Sequence, residues 1–327
     1  IALVQHDFKR LLGYHAVSQV GYMVLGIGTA NPIGIAGGLF HMINHALYKS
    51  CLFLGAGAVE KTTGTSDLSD LGGLSKCMPA TFVSFLIASL AISGIPPING
   101  FFSKWMIYQG IIELGNSKNP LWIVWLVTAM FGSALTVASF IKLLYAVFLG
   151  RASKRAEAAK EAPITMVLPM IVLAATCVLF GIFAFSIPIS LLIAPIIDRS
   201  ISYIGTWSPD TATALIIAAM ILGVIVYLFT SSRKTREVST FVGGEDPDMF
   251  DRVSGTEFYN TIKEIKCLGP LYSKEESRSL DIYVISRNVI SIFTGYLQRL
   301  TNGVLPTYIV WCLIGMVAMF IALFIKG

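Results

Sequence analysis

Residues 94 to 104 read Gly94-Ile95-Pro96-Pro97-Ile98-Asn99-Gly100-Phe101-Phe102-Ser103-Lys104 and interrupt an otherwise apolar stretch. Neither Pro96 nor Pro97 can donate a backbone hydrogen bond, and Gly94 and Gly100 let the chain leave one helix and enter another, so the segment predicts a helix broken in mid-run. Apolar sequence on both sides sets the break, and Lys104 with it, at a depth where a bilayer is poorest in water. A lysine there is costly unless it has a partner or a task. A break at such depth is tolerated only against protein or a water-filled cavity, and half-helix ends of this kind are where transporters build ion sites. Lys104, four residues past Gly100, is expected in the opening turn of the second half-helix, where the helix dipole opposes a positive charge.

The composition agrees with a membrane setting. Of the 327 residues 55% are hydrophobic and 13% charged, and the mean hydropathy is +0.72. Apolar runs at about 11–30, 33–59, 78–114, 120–149, 164–197, 210–230 and 304–325 predict an all-α integral membrane protein of about seven spans, the third carrying the break. The runs are continuous rather than alternating, which argues against a barrel. The chain opens on Ile1-Ala2-Leu3-Val4, in mid-apolar sequence, and reads as the later part of a longer protein. The cysteines, Cys51, Cys77, Cys177, Cys267 and Cys312, are scattered without a CxxC, so no iron–sulfur cluster, zinc or covalent haem is expected.

Threading those spans puts Lys9, Arg10, Lys61, Lys76, Arg151, Lys154, Arg155, Lys160 and the basic residues of 233–299 on one side, against Lys118, Arg199 and Lys326 on the other. By the positive-inside rule the crowded side is cytoplasmic, which makes the loops at 60–77, 150–163 and 231–302 cytoplasmic. The net charge of +5 then follows from topology, and nucleic-acid binding is not expected. From 231 to 302 the chain turns polar, beginning with the acidic turn at 243–248, whose spacing is wrong for a calcium loop. Within it Ile282, Ile285, Val289, Ile292, Phe293, Tyr296 and Leu300 recur at helical spacing, predicting an amphipathic helix over about 279–300. It would lie on the membrane face, docked on its own domain or gripping a neighbouring subunit.

The second span carries His41, His45 and Lys49 four residues apart. Each step turns about 40° and climbs about 6 Å, so the three form one stripe. A gap of about 6 Å suits proton transfer through one or two waters, with Asn44 and Tyr48 on the flanks placed to hold them. Histidine titrates near neutral pH and a buried lysine can give up its proton, so the set can carry protons where fixed charges cannot. The competing reading is polar glue between helices, which two histidines and a lysine make expensive. Lys142 lies within two turns of the end of its span and can snorkel to water, so it is a secondary candidate. His15 is another, with a satisfied core histidine as its alternative.

Lys9-Arg10-Leu11-Leu12, Ser18-Gln19-Val20-Gly21-Tyr22-Met23, His41-Met42-Ile43-Asn44-His45-Ala46-Leu47-Tyr48-Lys49, and Gly94 through Lys104 together resemble the antiporter-like subunits of respiratory complex I, multi-subunit cation/proton antiporters and membrane-bound [NiFe] hydrogenases. The ordered motifs cover residues 1–150. The resemblance implies a fold of two inverted five-helix repeats, each with a broken helix, of which this chain holds the second. It implies proton-relay roles for Lys9, His41, His45, Lys49 and Lys104. It also implies further helices before Ile1, with a second broken helix and a glutamate–lysine pair that has no counterpart here. Where complex I subunits usually carry an acidic residue after the broken-helix lysine and a serine after the tyrosine of the first motif, this chain has Trp105 and His15, and so looks more like the hydrogenase-type relatives.

The expectation is therefore a proton-translocating, possibly sodium-translocating, membrane subunit of an energy-converting oxidoreductase complex, without catalytic residues, metal or cofactor of its own. Its implied partners are other antiporter-like and small membrane subunits, peripheral iron–sulfur and large catalytic subunits, and the lipid bilayer. A subunit of a redox-free sodium/proton antiporter and a structural bridging subunit are the alternatives. The expected domains are the second repeat at 1–150, further transmembrane helices at 151–230, the polar insertion at 231–302 and a last transmembrane helix at 303–327.

Overall fold

The computed structural model describes residues 1–116, 119–150, 152–197, 201–205, 209–229, 269–276, 281–300 and 303–326. The acidic turn at 243–248 and the stretch up to 268 lie outside the described residues. Apart from one bridge between Asp7 and Asp67, regular structure among the described residues is helical. The helices are α1 (Phe8–Gly28), α2 (Pro32–Thr63), α3 (Pro79–Ser93), α4 (Asn99–Asn116), α5 (Trp122–Leu144), the short α6 (Lys154–Glu157), α7 (Ile164–Ile182), α8 (Pro209–Phe229), α9 (Gly269–Glu276), α10 (Ile282–Leu300) and α11 (Leu305–Lys326). Each expected apolar run is matched by helix. Four stretches, Trp122–Leu149, Ile164–Ile182, Thr211–Phe229 and Leu305–Phe324, are long and apolar enough to cross a membrane by length and composition alone. The other runs, α1 to α4, are shorter or diluted by the polar residues of the site.

Contacts divide the chain into two compact units, Ala2–Thr261 and Ile262–Gly327. In the first, α2 is the axial helix and packs against α1, α3, α4 and α7. Local chemistry fixes its ends: Asn31 accepts a hydrogen bond from Gly34 N at 2.9 Å with Pro32 opening the first turn, and Gly64 closes it in the left-handed conformation at φ 74°. The main core runs from Phe8, Leu11 and Leu12 through Leu52, Ala56 and Val59 to Phe85, Phe140 and Phe148. Glu161 holds the start of α3, accepting from Ala80 N at 2.8 Å and from the Thr81 hydroxyl at 2.6 Å. A carboxylate is favoured there by the orphan amides and dipole of the helix.

The expected single span at 164–197 is divided. The α-helical winding of α7 stops at Ile182, and Phe185–Ile193 winds as a π-helix around Pro188. Ile189 N donates to Ala184 O at 3.1 Å, one residue further back than an α-helix reaches. Proline, lacking an amide proton, makes the ordinary ladder impossible there. In the second unit α10 forms as the sequence predicts, and its stripe of Ile285, Val289, Ile292, Phe293 and Tyr296 is exposed.

Candidate functional site

The break in the third run falls between Ser93 and Asn99, and its geometry follows from counting carbonyls. A helix leaves its last four carbonyls without partners. Gly94, at φ 76°, turns the chain so that its own N–H reaches Ala91 O at 3.0 Å and the Ile95 N–H reaches Leu90 O at 3.1 Å. Only glycine takes that conformation freely. Ile92 O and Ser93 O are left over, and Lys104 Nζ donates to both, at 2.9 and 3.4 Å.

This corrects the expectation for Lys104. It lies in the second turn of α4 rather than the first, and its side chain turns back to the carbonyl end of α3. There the helix dipole favours a cation instead of opposing it. Its Nζ also stands 5.1 Å over the Tyr22 ring. A cavity of about 280 Å³ opens beside it between α4 and α5, with Ser93, Tyr108 and Ser133 among its lining, so water has room to reach the ammonium.

His41 is fully buried. Its Nδ1 meets Ser103 Oγ at 2.9 Å and its Nε2 meets Gln19 Oε1 at 3.0 Å, with the Tyr48 hydroxyl 3.4 Å from Nε2. Both nitrogens are engaged: Nε2 donates to Gln19 Oε1, which can only accept, and Nδ1 faces a hydroxyl that can donate or accept. Lys49 is buried and donates to Leu12 O of α1. His45, between them on α2, is half-buried, with its ring edge-on to Tyr48 and its Nε2 buried without a partner. Four of the five expected relay residues therefore lie along one groove between α1, α2 and α4, His41, Lys49 and Lys104 buried and His45 half-buried.

Lys9 stands at its mouth. It is 45% exposed and pairs with Glu60, 39% exposed, in the last turns of α2. It lies about 5 Å along α1 from Leu12, the partner of Lys49.

Two further expectations change. Asn44, expected to hold water, instead exchanges hydrogen bonds with Asn99: its Nδ2 donates to Asn99 O at 3.0 Å and Asn99 Nδ2 donates to Asn44 Oδ1 at 2.9 Å. It ties α2 to the break. Lys142 does not snorkel: it is buried and donates to Leu3 O at 2.8 Å and Gln5 O at 3.0 Å, because the opening turn of the chain covers that end of α5. Asn44→Leu is expected to cost about 1–3 kcal/mol, since it strands the Asn99 amide in an apolar setting. Thermal unfolding of the purified protein checks it, and an unchanged midpoint counts against the pairing.

Gln19, Tyr22 and Ser103 are site residues that spacing along α2 does not reveal. Gln19 and Tyr22 had a signal of their own, because with Leu12 and His15 they lie within one 80° arc of α1. Ser103 is identifiable only once α4 is laid beside α2.

The chain is similar to formate hydrogenlyase subunit 3 of Escherichia coli (strain K12), 40% identical over 56% of this chain and 33% of that protein. It is likewise similar to a Na(+)/H(+) antiporter subunit of Alkalihalophilus pseudofirmus, 38% identical over 55% of this chain and 35% of that protein. It thus spans about a third of the length of these curated relatives, 33% and 35%. Among solved structures, a chain of the membrane-bound sulfane sulfur reductase (MBS), an archaeal respiratory membrane complex, matches over 98% of this chain and 53% of its own, at 27% identity and a TM-score of 0.69. Residues 1–136, which hold His41, His45, Lys49 and Lys104, match the family described as NADH:quinone oxidoreductase/Mrp antiporter, transmembrane.

Proposed function

We propose that this chain is an ion-translocating membrane subunit of an energy-converting oxidoreductase complex of the membrane-bound hydrogenase type, passing protons along Lys49, His45, His41 and Lys104. The observation that carries the reading is the placement of these side chains, His41, Lys49 and Lys104 buried and His45 half-buried, along one groove that ends at a broken helix. Fixed charges knitting helices together need no imidazole with both nitrogens engaged. The hydrogenase branch is favoured by likeness to formate hydrogenlyase subunit 3 and by Trp105 and His15, and a redox complex over a redox-free one is favoured by a respiratory-complex chain that matches far beyond residue 136. The sequence orientation sets Lys9 and Glu60 at the cytoplasmic mouth, and α10 on the membrane face with its apolar stripe. Redox chemistry belongs to peripheral iron–sulfur and large catalytic subunits, with other antiporter-like and small membrane subunits alongside, and no cofactor is proposed in this chain.

Likeness to an antiporter subunit favours a second reading, a redox-free sodium/proton antiporter. Co-purification of an iron–sulfur protein with a large catalytic subunit separates the first from the second. The relay itself is tested in vesicles holding the intact complex. Lys49→Met removes the lysine at the Leu12 end of the groove, about 12 Å along α2 from His41, and is expected to lower proton translocation at least about tenfold. Wild-type pumping by a fully assembled Lys49→Met complex rejects the relay and leaves the bridging role.

A further inference from the structure

His15 is buried at 3% exposure, and neither of its ring nitrogens has a hydrogen-bond partner. A neutral imidazole carries one donor and one acceptor, and leaving both unmade in the interior is expensive. Two further orphans belong to the same groove, His45 Nε2 on α2 and Gln19 Nε2 on α1. Register puts His15 and His45 at one level, with Gln19 one turn further along α1 beside His41. Lys49 meets α1 at Leu12 and His41 meets it at Gln19, so residues 12 to 19 of α1 run beside 49 to 41 of α2. These intervals rise about 10 and 12 Å. His15 falls within the first and His45 within the second, and each helix keeps these residues on one face. Phe140, its ring 5.0 Å from that of His15, closes the groove on the α5 side.

We propose that His15 is a second proton-carrying group for the step between Lys49 and His41: His15 from α1 and His45 from α2 flank a small internal water cluster, and a proton crosses by either ring. Buried polar atoms left without protein partners are the usual hosts of internal water. In the step, Lys49 gives a proton to a neighbouring water, and that water passes one to the bare nitrogen of an imidazole. The opposite nitrogen releases its own proton to a water beside His41. The imidazole ends neutral with its tautomer inverted, and a ring flip restores it; the net change is one proton moved from Lys49 to the water beside His41, which passes it on to His41, and Lys49 stays neutral until it takes up the next proton. A single stripe along α2 has one lane; this arrangement has two.

The inference rests on the relay reading, and the test separates the two failures. In vesicles holding the intact complex, His15→Gln and His45→Gln singly are expected to lower proton translocation about twofold each, and the double variant more than about tenfold, beyond the product of the singles. A product of singles no smaller than the double overturns the two-lane arrangement. So does a His15→Gln variant that by itself pumps as poorly as Lys49→Met, since that makes the lanes serial. If Lys49→Met pumps normally, the relay falls instead. A second readout does not depend on transport: infrared difference spectra in H2(18)O are expected to contain internal-water O–H bands that vanish in His15→Phe, which fills the ring's place without nitrogens. Unaltered water bands in a folded His15→Phe complex place the water elsewhere and overturn the cluster.

Discussion

Replacing Lys104 by arginine is expected to lower ion translocation more than about tenfold while the complex still assembles. The guanidinium can donate to Ile92 O and Ser93 O as the ammonium does, so the carbonyl end of α3 keeps its partners. A guanidinium does not give up its proton under any accessible condition, so a carrier that must alternate between charged and neutral stops working. Lys104→Met is expected to lose translocation as well, for two reasons at once. It removes the carrier, and it strands two buried carbonyls at about 1–3 kcal/mol each, so its stability falls where that of the arginine variant does not. Proton uptake by vesicles and thermal unfolding of the same preparations give both readings. Wild-type pumping by Lys104→Arg would make this side chain a fixed positive charge holding the two half-helices together.

Gly181→Val is expected to have the largest effect on stability, about 3 kcal/mol or more. A Cβ on Gly181 of α7 would collide with Pro97 O and lie 2.7 Å from Ile98 Cα and 2.8 Å from Asn99 N. These are backbone atoms of the break itself, with no flexible side chain to move aside. The added bulk must push α7 away or shift Asn99, which in turn breaks its exchange with Asn44. Gly223→Val on α8 is the control, since nothing lies within 4 Å of its Cβ position, and it is expected to change stability by no more than about 0.5 kcal/mol. Equal melting of the two variants would mean that α7 does not brace the break.

The helices and the break were legible because their causes are local. Pro96, Pro97 and the flanking glycines forbid a continuous helix whatever surrounds them, and residues spaced by four on α2 must share a face. Partners set by register between helices were not legible. Nothing in the order of residues says that Gln19 meets His41, that Asn44 meets Asn99, or that the opening turn covers Lys142. Lys104 lies between these cases. That Gly94 would satisfy Leu90 and Ala91 and leave two carbonyls was deducible from the glycine alone, but that a lysine ten residues later turns back to take them depends on how α4 folds against α3. For His15, sequence offered a satisfied core histidine as one reading, and only the packing shows both nitrogens without partners.

Glu161 grips one end of α3 and Lys104 grips the other. Between them stands a helix of 15 residues, about 22 Å of rod with little internal give. Held so at both tips by side chains from other segments, α3 behaves mechanically as a pushrod. A displacement of the segment before α7 along that axis would therefore reach the lysine as a translation of its acceptors.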